Sequence, residues 1–321
     1  MREAGTPGAP AVCVSAPEHS AVEVALAERL PDIESLRREL DAVDYLTDEG
    51  LATALFLGVR MQRPILLEGE PGVGKTEAAK ALARALGTPL IRLQCYEGID
   101  ASEALYEWNY PRQLLAIRLA EARGTHLDEN EMFGDAYLIR RPLLQALEHP
   151  GPLPLVLLID EVDRSDHEFE AFLFELLSDA TITIPERGTI RATCPPIAIL
   201  TSNRTRELHD ALKRRCLYHW IDYPSPEREV DIVRRRVPHS EHGLAVDTTA
   251  AVQRLRASDV QKPPGIAEAI DWVAALRILG VGKLDVPAAE RTLGTVLKHR
   301  EDEELVRTRG LKWLVGEQAG A

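Results

Sequence analysis

The stretch Gly69-Glu70-Pro71-Gly72-Val73-Gly74-Lys75-Thr76 constrains this chain more than any other, because it matches the pattern G-x-x-x-x-G-K-[ST] at every fixed position. Glycines in such a loop let successive backbone N–H groups converge on phosphate oxygens, which side chains with a Cβ would crowd. Lys75 adds a point charge for the outer phosphates, and the Thr76 hydroxyl is a hard oxygen ligand for Mg²⁺. The stretch therefore predicts a phosphate-binding loop with a magnesium ligand.

The residues on either side of this loop have the character that such a loop needs. Residues 64–68 form a short apolar run of strand type, and residues 75–86 place alanines and leucines on one helical face. Gly87 is placed to end that helix. Strand, glycine-rich loop and helix thus follow in the order that binds a nucleotide phosphate at a helix N-terminus.

A second pattern predicts the chemistry. Residues 155–159 are all apolar and describe a buried central strand, and Asp160 and Glu161 follow it directly. Ligands of open α/β sheets bind at the carboxyl ends of the strands. Asp160 is therefore expected to hold Mg²⁺ through its water shell, and Glu161 to orient and polarise the water that attacks the γ-phosphate of ATP.

Three further positions have two interpretations each. Asn203 follows the apolar strand 197–200 and is either a turn residue or an amide that bonds the γ-phosphate and the attacking water. The pair Arg214-Arg215 is either a solvated face or an arginine finger for the nucleotide of a neighbouring subunit. Tyr45 and Leu46, between two predicted helices ahead of the loop, are either packing residues or an apolar clamp for the adenine base.

The composition restricts partners and location. The net charge of −13 and the pI of about 5.3 disfavour binding to nucleic acid or to an anionic membrane surface. Since no apolar run reaches the roughly 20 residues needed to cross a bilayer, we expect no stable membrane insertion and a cytoplasmic location. The four cysteines show no C-x-x-C pair, so we expect free thiols, of which Cys95 lies nearest to the predicted site.

The chain divides into three parts by composition. Residues 1–25, rich in Gly, Ala, Pro and Glu, are expected to form a disordered tail. Residues 26–224 are expected to form an α/β core, in which a parallel sheet with flanking helices carries an inserted β-hairpin near residues 181–192. Residues 225–321 are expected to form a smaller, all-helical lid domain. Aromatics alternate at Tyr106, Trp108 and Tyr110, which predicts either a local hydrophobic cluster or an exposed loop that grips a partner.

Taken together, these motifs resemble an AAA+ ATPase. The hairpin before Asn203 and the extra segment at residues 108–135 resemble the MoxR branch of that family. Within the branch, three stretches are similar to the accessory ATPases of carbon monoxide dehydrogenases and related molybdenum enzymes. They are Leu93-Gln94-Cys95-Tyr96-Glu97-Gly98, Leu105-Tyr106-Glu107-Trp108-Asn109-Tyr110-Pro111 and Lys262-Pro263-Pro264-Gly265.

The resemblance implies an ATP- and Mg²⁺-dependent ATPase that forms a homo-oligomer, usually a hexameric ring, and remodels a protein client. It implies Arg215 as the first choice for the finger and Arg214 as the second, a partner with a von Willebrand factor A domain, and a molybdenum hydroxylase client. Many relatives carry a nucleotide-contacting arginine in the lid where this chain has Pro263-Pro264-Gly265, with Lys262 as a weak substitute. An activator of another metalloenzyme and a P-loop small-molecule kinase are the alternatives.

Overall fold

The computed structural model describes residues 21–125 and 128–317. Its first element is helix α1 (Ala21–Arg29), in which Val22 and Leu26 lie one helical turn apart and Leu26 is buried. Residues 21–25 are therefore helical, and not part of a tail as the composition suggested. Residues 1–20, with Cys13, lie outside the described part of the chain.

A parallel five-stranded sheet forms the core, in the order β2-β5-β8-β1-β9. The strands are β1 (Ile65–Gly69), β2 (Leu90–Gln94), β3 (Tyr106–Trp108), β4 (Leu138–Arg140), β5 (Val156–Asp160), β6 (Thr181–Ile184), β7 (Gly188–Arg191), β8 (Ile197–Ser202) and β9 (Leu217–Ile221). The central strands β1, β5 and β8 are buried along their whole length, because helices cover both faces. Their carboxyl ends therefore meet at one edge.

Helices on both sides of this sheet complete the core. They are α2 (Ile33–Ala42), α3 (Glu49–Arg60), α4 (Lys75–Leu86), α5 (Ala101–Ala104), α6 (Tyr110–Arg123), α7 (Glu129–Met132), α8 (Pro142–Leu147), α9 (His167–Asp179) and α10 (Asp210–Arg215). Helix α4 packs with α2 and α3 on one face, where Leu82 and Leu158 share a hydrophobic cluster. On the other face Leu144 and Leu173 belong to a second cluster.

Two antiparallel strand pairs lie outside the main sheet. The pair β6–β7 is the predicted hairpin between α9 and β8. The pair β3–β4 belongs to an insertion between β2 and α8, in which Trp108 is buried and packs edge-on against Tyr106 and Phe133. Trp108 therefore forms the local cluster that was one of the two predicted alternatives, whereas Tyr110 is 64% exposed.

The C-terminal part is helical and has its own hydrophobic cluster. Its helices are α11 (Pro226–Arg236), α12 (His242–Arg256), α13 (Ile266–Ile278), α14 (Val286–Val296), α15 (Arg300–Arg309) and α16 (Leu311–Val315). Trp272 lies fully buried at its centre and donates a hydrogen bond of 2.7 Å from Nε1 to Thr292 Oγ1. The predicted α/β class, with a parallel sheet and a helical C-terminal region, is confirmed. In the described ranges no helix has both the length and the apolar character needed to cross a bilayer.

Candidate active site

The P-loop joins β1 to α4, and its lysine is bound within the loop itself. Gly74 sits at φ +99°, in the left-handed region that favours glycine, where α4 begins. Lys75 Nζ donates to the carbonyl oxygens of Gly69 at 2.7 Å and Glu70 at 2.8 Å. Burial lowers the pKa of Lys75, and the nearby carboxylates, Asp163 first among them, oppose that shift. The ammonium thus already lies in the concave loop that the sequence predicts for phosphate.

The two predicted magnesium ligands lie together. Thr76 Oγ1, in the first turn of α4, donates to Asp160 Oδ1 at 2.9 Å, and Thr201 Oγ1 donates to the same oxygen at 2.6 Å. Asp160 is the last residue of β5 and is only 2% exposed. A buried carboxylate beside a threonine hydroxyl is the hard oxygen donor set that Mg²⁺ prefers. These residues fit a magnesium ion that is carried in with a nucleotide.

Glu161 and Asn203 face each other across neighbouring strand ends. Glu161 has a left-handed backbone, with φ +55°, and its N–H donates to Thr201 Oγ1 at 2.9 Å. In this conformation Asn203 Nδ2 lies 3.4 Å from Glu161 Oε1. Gln94 Nε2, at the end of β2, lies 3.1 Å from Oε2. The site therefore brings the predicted general base and the predicted sensing amide into contact.

A buried aspartate fixes the position of Asn203. Asp163 Oδ2 accepts hydrogen bonds from the backbone N–H of Asn203 at 3.2 Å and of Thr205 at 2.8 Å. Thr205 Oγ1 donates to the same oxygen at 2.7 Å. Because Asp163 is 2% exposed and follows Glu161 by two residues, the base and the amide share one rigid support.

A cavity of about 470 Å³ connects these groups to the helical region. Tyr45 and Leu46 line it, as do Thr76, Asp160, Glu161 and Asn203. Apolar side chains of the C-terminal helices, among them Ile232, Ile266 and Ile270, form the facing wall. A cavity of this size, lined by both polar and apolar side chains, suits a nucleotide.

Arg228 of α11 lines the cavity and contacts the segment of the core that leads into α3. Its Nη2 donates to Leu46 O at 2.8 Å, and its Nη1 lies 3.1 Å from Asp48 Oδ2. The arginine therefore holds the segment that contains Tyr45 and Leu46. Whether the two residues clamp adenine stays a prediction.

The paired arginines lie apart from this cavity, at the end of α10. The Arg215 guanidinium lies 3.8 Å from the centre of the Phe174 ring and bonds to Ser178 on α9 of the same chain. Arg214 is exposed, and within the described ranges its side chain makes no hydrogen bond or ion pair. Neither arginine is among the described residues that line the cavity. This placement favours Arg214 over Arg215 as the residue free to reach a neighbouring subunit.

Sequence reasoning did not find several residues of this site. Arg92 and Gln94 reach Asp160 and Glu161 because β2 pairs with β5 in a register that sets Gln94 opposite Asp160. In the sequence, the only indication of their role was that these two polar residues alternate with apolar residues in β2. Cys95 is buried, which raises the pKa of its thiol to about 12, so it is protonated at neutral pH.

Comparisons with known proteins agree with this geometry. The family model described as "AAA domain (dynein-related subfamily)" matches residues 64–216. Protein NorQ of Paracoccus denitrificans is 25% identical over 223 residues, which cover 67% of this chain and 72% of NorQ. Chaperone MoxR1 of Mycobacterium tuberculosis is 23% identical, over 76% of this chain and 60% of MoxR1. The denitrification regulatory protein NirQ of Pseudomonas aeruginosa is 24% identical, over 68% of this chain and 77% of NirQ.

The AAA domain and the similarity to NorQ, MoxR1 and NirQ support a MoxR-type AAA+ ATPase. The same comparisons support ATP hydrolysis, which the P-loop and the acid pair predicted. The narrower resemblance to accessory ATPases of carbon monoxide dehydrogenase is not part of what these relatives show, and stays a prediction.

Proposed function

We propose that this ATPase is a cytoplasmic chaperone that forms a ring, in which ATP and Mg²⁺ bind between subunits and hydrolysis remodels a protein client. One observation carries the proposal. The cavity is lined by Thr76, Asp160, Glu161 and Asn203, the residues that we propose as metal ligands, base and amide, while the exposed Arg214 is not among the described residues that line it. A head-to-tail ring, hexameric in our proposal, places such an arginine at the next subunit's γ-phosphate.

Roles within the site follow from the contacts. Thr76 and Asp160 would hold Mg²⁺, which would neutralise negative charge on the phosphates of ATP. Lys75 exchanges its bonds to the loop carbonyls for phosphate oxygens. Glu161 accepts the proton of the attacking water, and Asn203 orients that water, because both lie at adjoining strand ends. Arg214 or Arg215 of a neighbour stabilises the charge on the transferred phosphoryl group.

The insertion that contains α6 is the proposed client-binding part. Leu114, Leu115 and Leu119 are each between 46% and 59% exposed on this helix, and Gln113 is its buried residue. Adjacent exposed leucines on a helix are costly in water unless a partner covers them. The hairpin β6–β7 is proposed to assist them.

We propose a molybdenum hydroxylase, such as a carbon monoxide dehydrogenase, as the client, with a von Willebrand factor A domain protein as an adaptor. The alternative client is another metalloenzyme. It is favoured by the similarity to NirQ, whose name connects that relative with denitrification. A P-loop small-molecule kinase is disfavoured, because a kinase needs no arginine from a neighbour and no exposed apolar helix.

Capture in the native host tests the proposal. The Glu161→Gln variant, which should bind ATP without turnover, is compared with Lys75→Ala, which should not bind it. We expect a metalloenzyme and an adaptor to be recovered with the first variant only, and to be lost when Leu114→Ser and Leu115→Ser are added. A monomer by sedimentation in the presence of ATP, or recovery of the same proteins with both variants, would contradict the proposal.

A further inference from the structure

Arg92, on the edge strand β2, is bound to the carboxylate that is expected to serve magnesium. Its Nε donates to Asp160 Oδ2 at 2.9 Å, and its Nη2 lies 2.6 Å from the same oxygen. The other oxygen, Oδ1, already accepts hydrogen bonds from Thr76 and Thr201. In the described ranges, the side-chain hydrogen bond and the ion pair of Asp160 Oδ2 are both made with the Arg92 guanidinium.

The two partners differ in their freedom to move. The Asp160 side chain is 3% exposed, whereas that of Arg92 is 48% exposed. A buried carboxylate needs a partner of opposite charge, since an unpaired charge away from water is strongly unfavourable. The guanidinium, by contrast, can rotate into solvent without leaving a cavity. Any competition for Asp160 is therefore resolved by movement of Arg92.

Magnesium competes for this carboxylate. A water molecule of the ion's shell needs a lone pair of Asp160, and a guanidinium beside a divalent cation is repelled. We infer that Arg92 is a cationic placeholder: it neutralises Asp160 while the site holds no nucleotide and is displaced when Mg²⁺ arrives with ATP. This inference rests on the ATPase site and is independent of the client.

Two neighbouring contacts support this inference. Lys75, another cation of the site, is likewise bound to protein oxygens, the carbonyls of Gly69 and Glu70. Arg92 Nη2 also bonds to Gln94 Oε1, which gives the displaced guanidinium a second acceptor on its own strand. On this inference Lys75 and Arg92 would both leave protein oxygens when ATP and Mg²⁺ are bound, and Arg92 would set how much Mg²⁺ binding requires.

Substitution of Arg92 tests the inference through binding rather than turnover. A fluorescent ATP analogue is held at fixed concentration with Arg92→Gln, and Mg²⁺ is titrated. We expect the Mg²⁺ concentration at the midpoint to be about fivefold lower than in the parent. The reason is that the variant lacks the half-exposed, charge-assisted ion pair that competes with Mg²⁺ for Asp160. In EDTA without nucleotide the variant should melt at a lower temperature than the parent, because Asp160 loses its partner. Arg300→Gln, with the same change of charge on an 86% exposed side chain, should match the parent in both measurements.

Other outcomes would contradict the inference about Arg92. A midpoint that stays at the parent's value, or rises, would show that Arg92 stays in place beside Mg²⁺ and would overturn the inference. If Arg92→Gln does not fold, Arg92→Lys decides by the same criterion, with a smaller expected decrease, since one ammonium cannot reproduce two aligned N–H donors. A parent protein that binds no analogue at any Mg²⁺ concentration would overturn the ATPase site and this inference together, which distinguishes that failure from the first.

Discussion

Gly265, at the start of α13, lies directly against Gly72 of the P-loop. A Cβ on Gly265 would lie 2.7 Å from Gly72 Cα and 2.9 Å from Pro71 O. The next residue, Ile266, donates its backbone N–H to Gly72 O at 3.0 Å. At the place where the resemblance to AAA+ ATPases predicts a nucleotide-contacting arginine, this chain thus connects its helical region to the loop through the backbone.

Gly265→Ala should therefore weaken nucleotide binding. The added methyl group meets backbone atoms that cannot rotate away, so α13 must move off the P-loop. We expect the affinity for an ATP analogue to fall by about tenfold, or ~1.4 kcal/mol, as measured by fluorescence titration. Gly243→Ala is the matched control, because a Cβ there meets nothing within 4 Å. Equal affinities for both variants would argue against this coupling.

Glu161→Gln should stop hydrolysis and preserve binding. Glutamine retains the shape and the contact with Asn203 but cannot accept a proton. We expect kcat to fall by about a hundredfold or more, with the affinity for ATP changed by less than about threefold. Glu168→Gln, an exposed position in the first turn of α9, should leave both quantities unchanged. Comparable turnover of Glu161→Gln and the parent would assign the base elsewhere.

Arg214→Ala should mainly affect catalysis, whereas Arg215→Ala should affect stability. Arg214 is the proposed finger, and in the described ranges its side chain makes no hydrogen bond or ion pair, so its removal should reduce kcat about a hundredfold or more without lowering the melting temperature. Arg215 stacks on Phe174, so its removal should lower the melting temperature by a few degrees.

A mixing experiment separates a finger in a neighbour from one acting within the chain. Subunits with Arg214→Ala and subunits with Glu161→Gln are each inactive, but some mixed interfaces combine an intact base with an intact arginine. The mixture should be more active than either variant alone. A mixture as inactive as its components would exclude a shared site.

Arg256→Ala should destabilise the helical region. Arg256 binds the fully buried Glu229 through two hydrogen bonds of 2.8 and 2.7 Å, and its Nε donates to Pro264 O at 2.7 Å. Removing the arginine leaves a buried carboxylate unpaired, which typically costs about 3–5 kcal/mol. Thermal unfolding should show a clear decrease in melting temperature. Arg300→Ala, which removes an exposed pair with Glu304, should shift it very little.

The local features of the site could be predicted because each depends on neighbours in sequence. The apolar run before Asp160 and the glycines before Lys75 specify a strand end and a loop whatever surrounds them. Helix α6 shows the limit of such reasoning. A helical pattern says nothing of what covers Leu114, Leu115 and Leu119, and in the structure these leucines are exposed.

The sequence alone also could not decide which of the two arginines is the better candidate for the finger. Arg214 and Arg215 are adjacent and chemically identical, so only their surroundings separate them. Phe174 and Ser178, about forty residues earlier in the chain, contact the Arg215 side chain, whereas in the described ranges the Arg214 side chain makes no hydrogen bond or ion pair. That difference arises from the packing of α10 against α9.

By itself the sequence determined a P-loop, an acid pair at a strand end and a parallel α/β core, because loop glycines, buried aliphatic runs and helical periodicity act over a few residues. The tertiary structure alone decided that Arg92 lies on Asp160 and that Gly265 lies on Gly72. Both contacts depend on strand register and on the packing of the helical region against the core. Such long-range geometry is set by the sum of many weak contacts, and no short stretch of sequence records it.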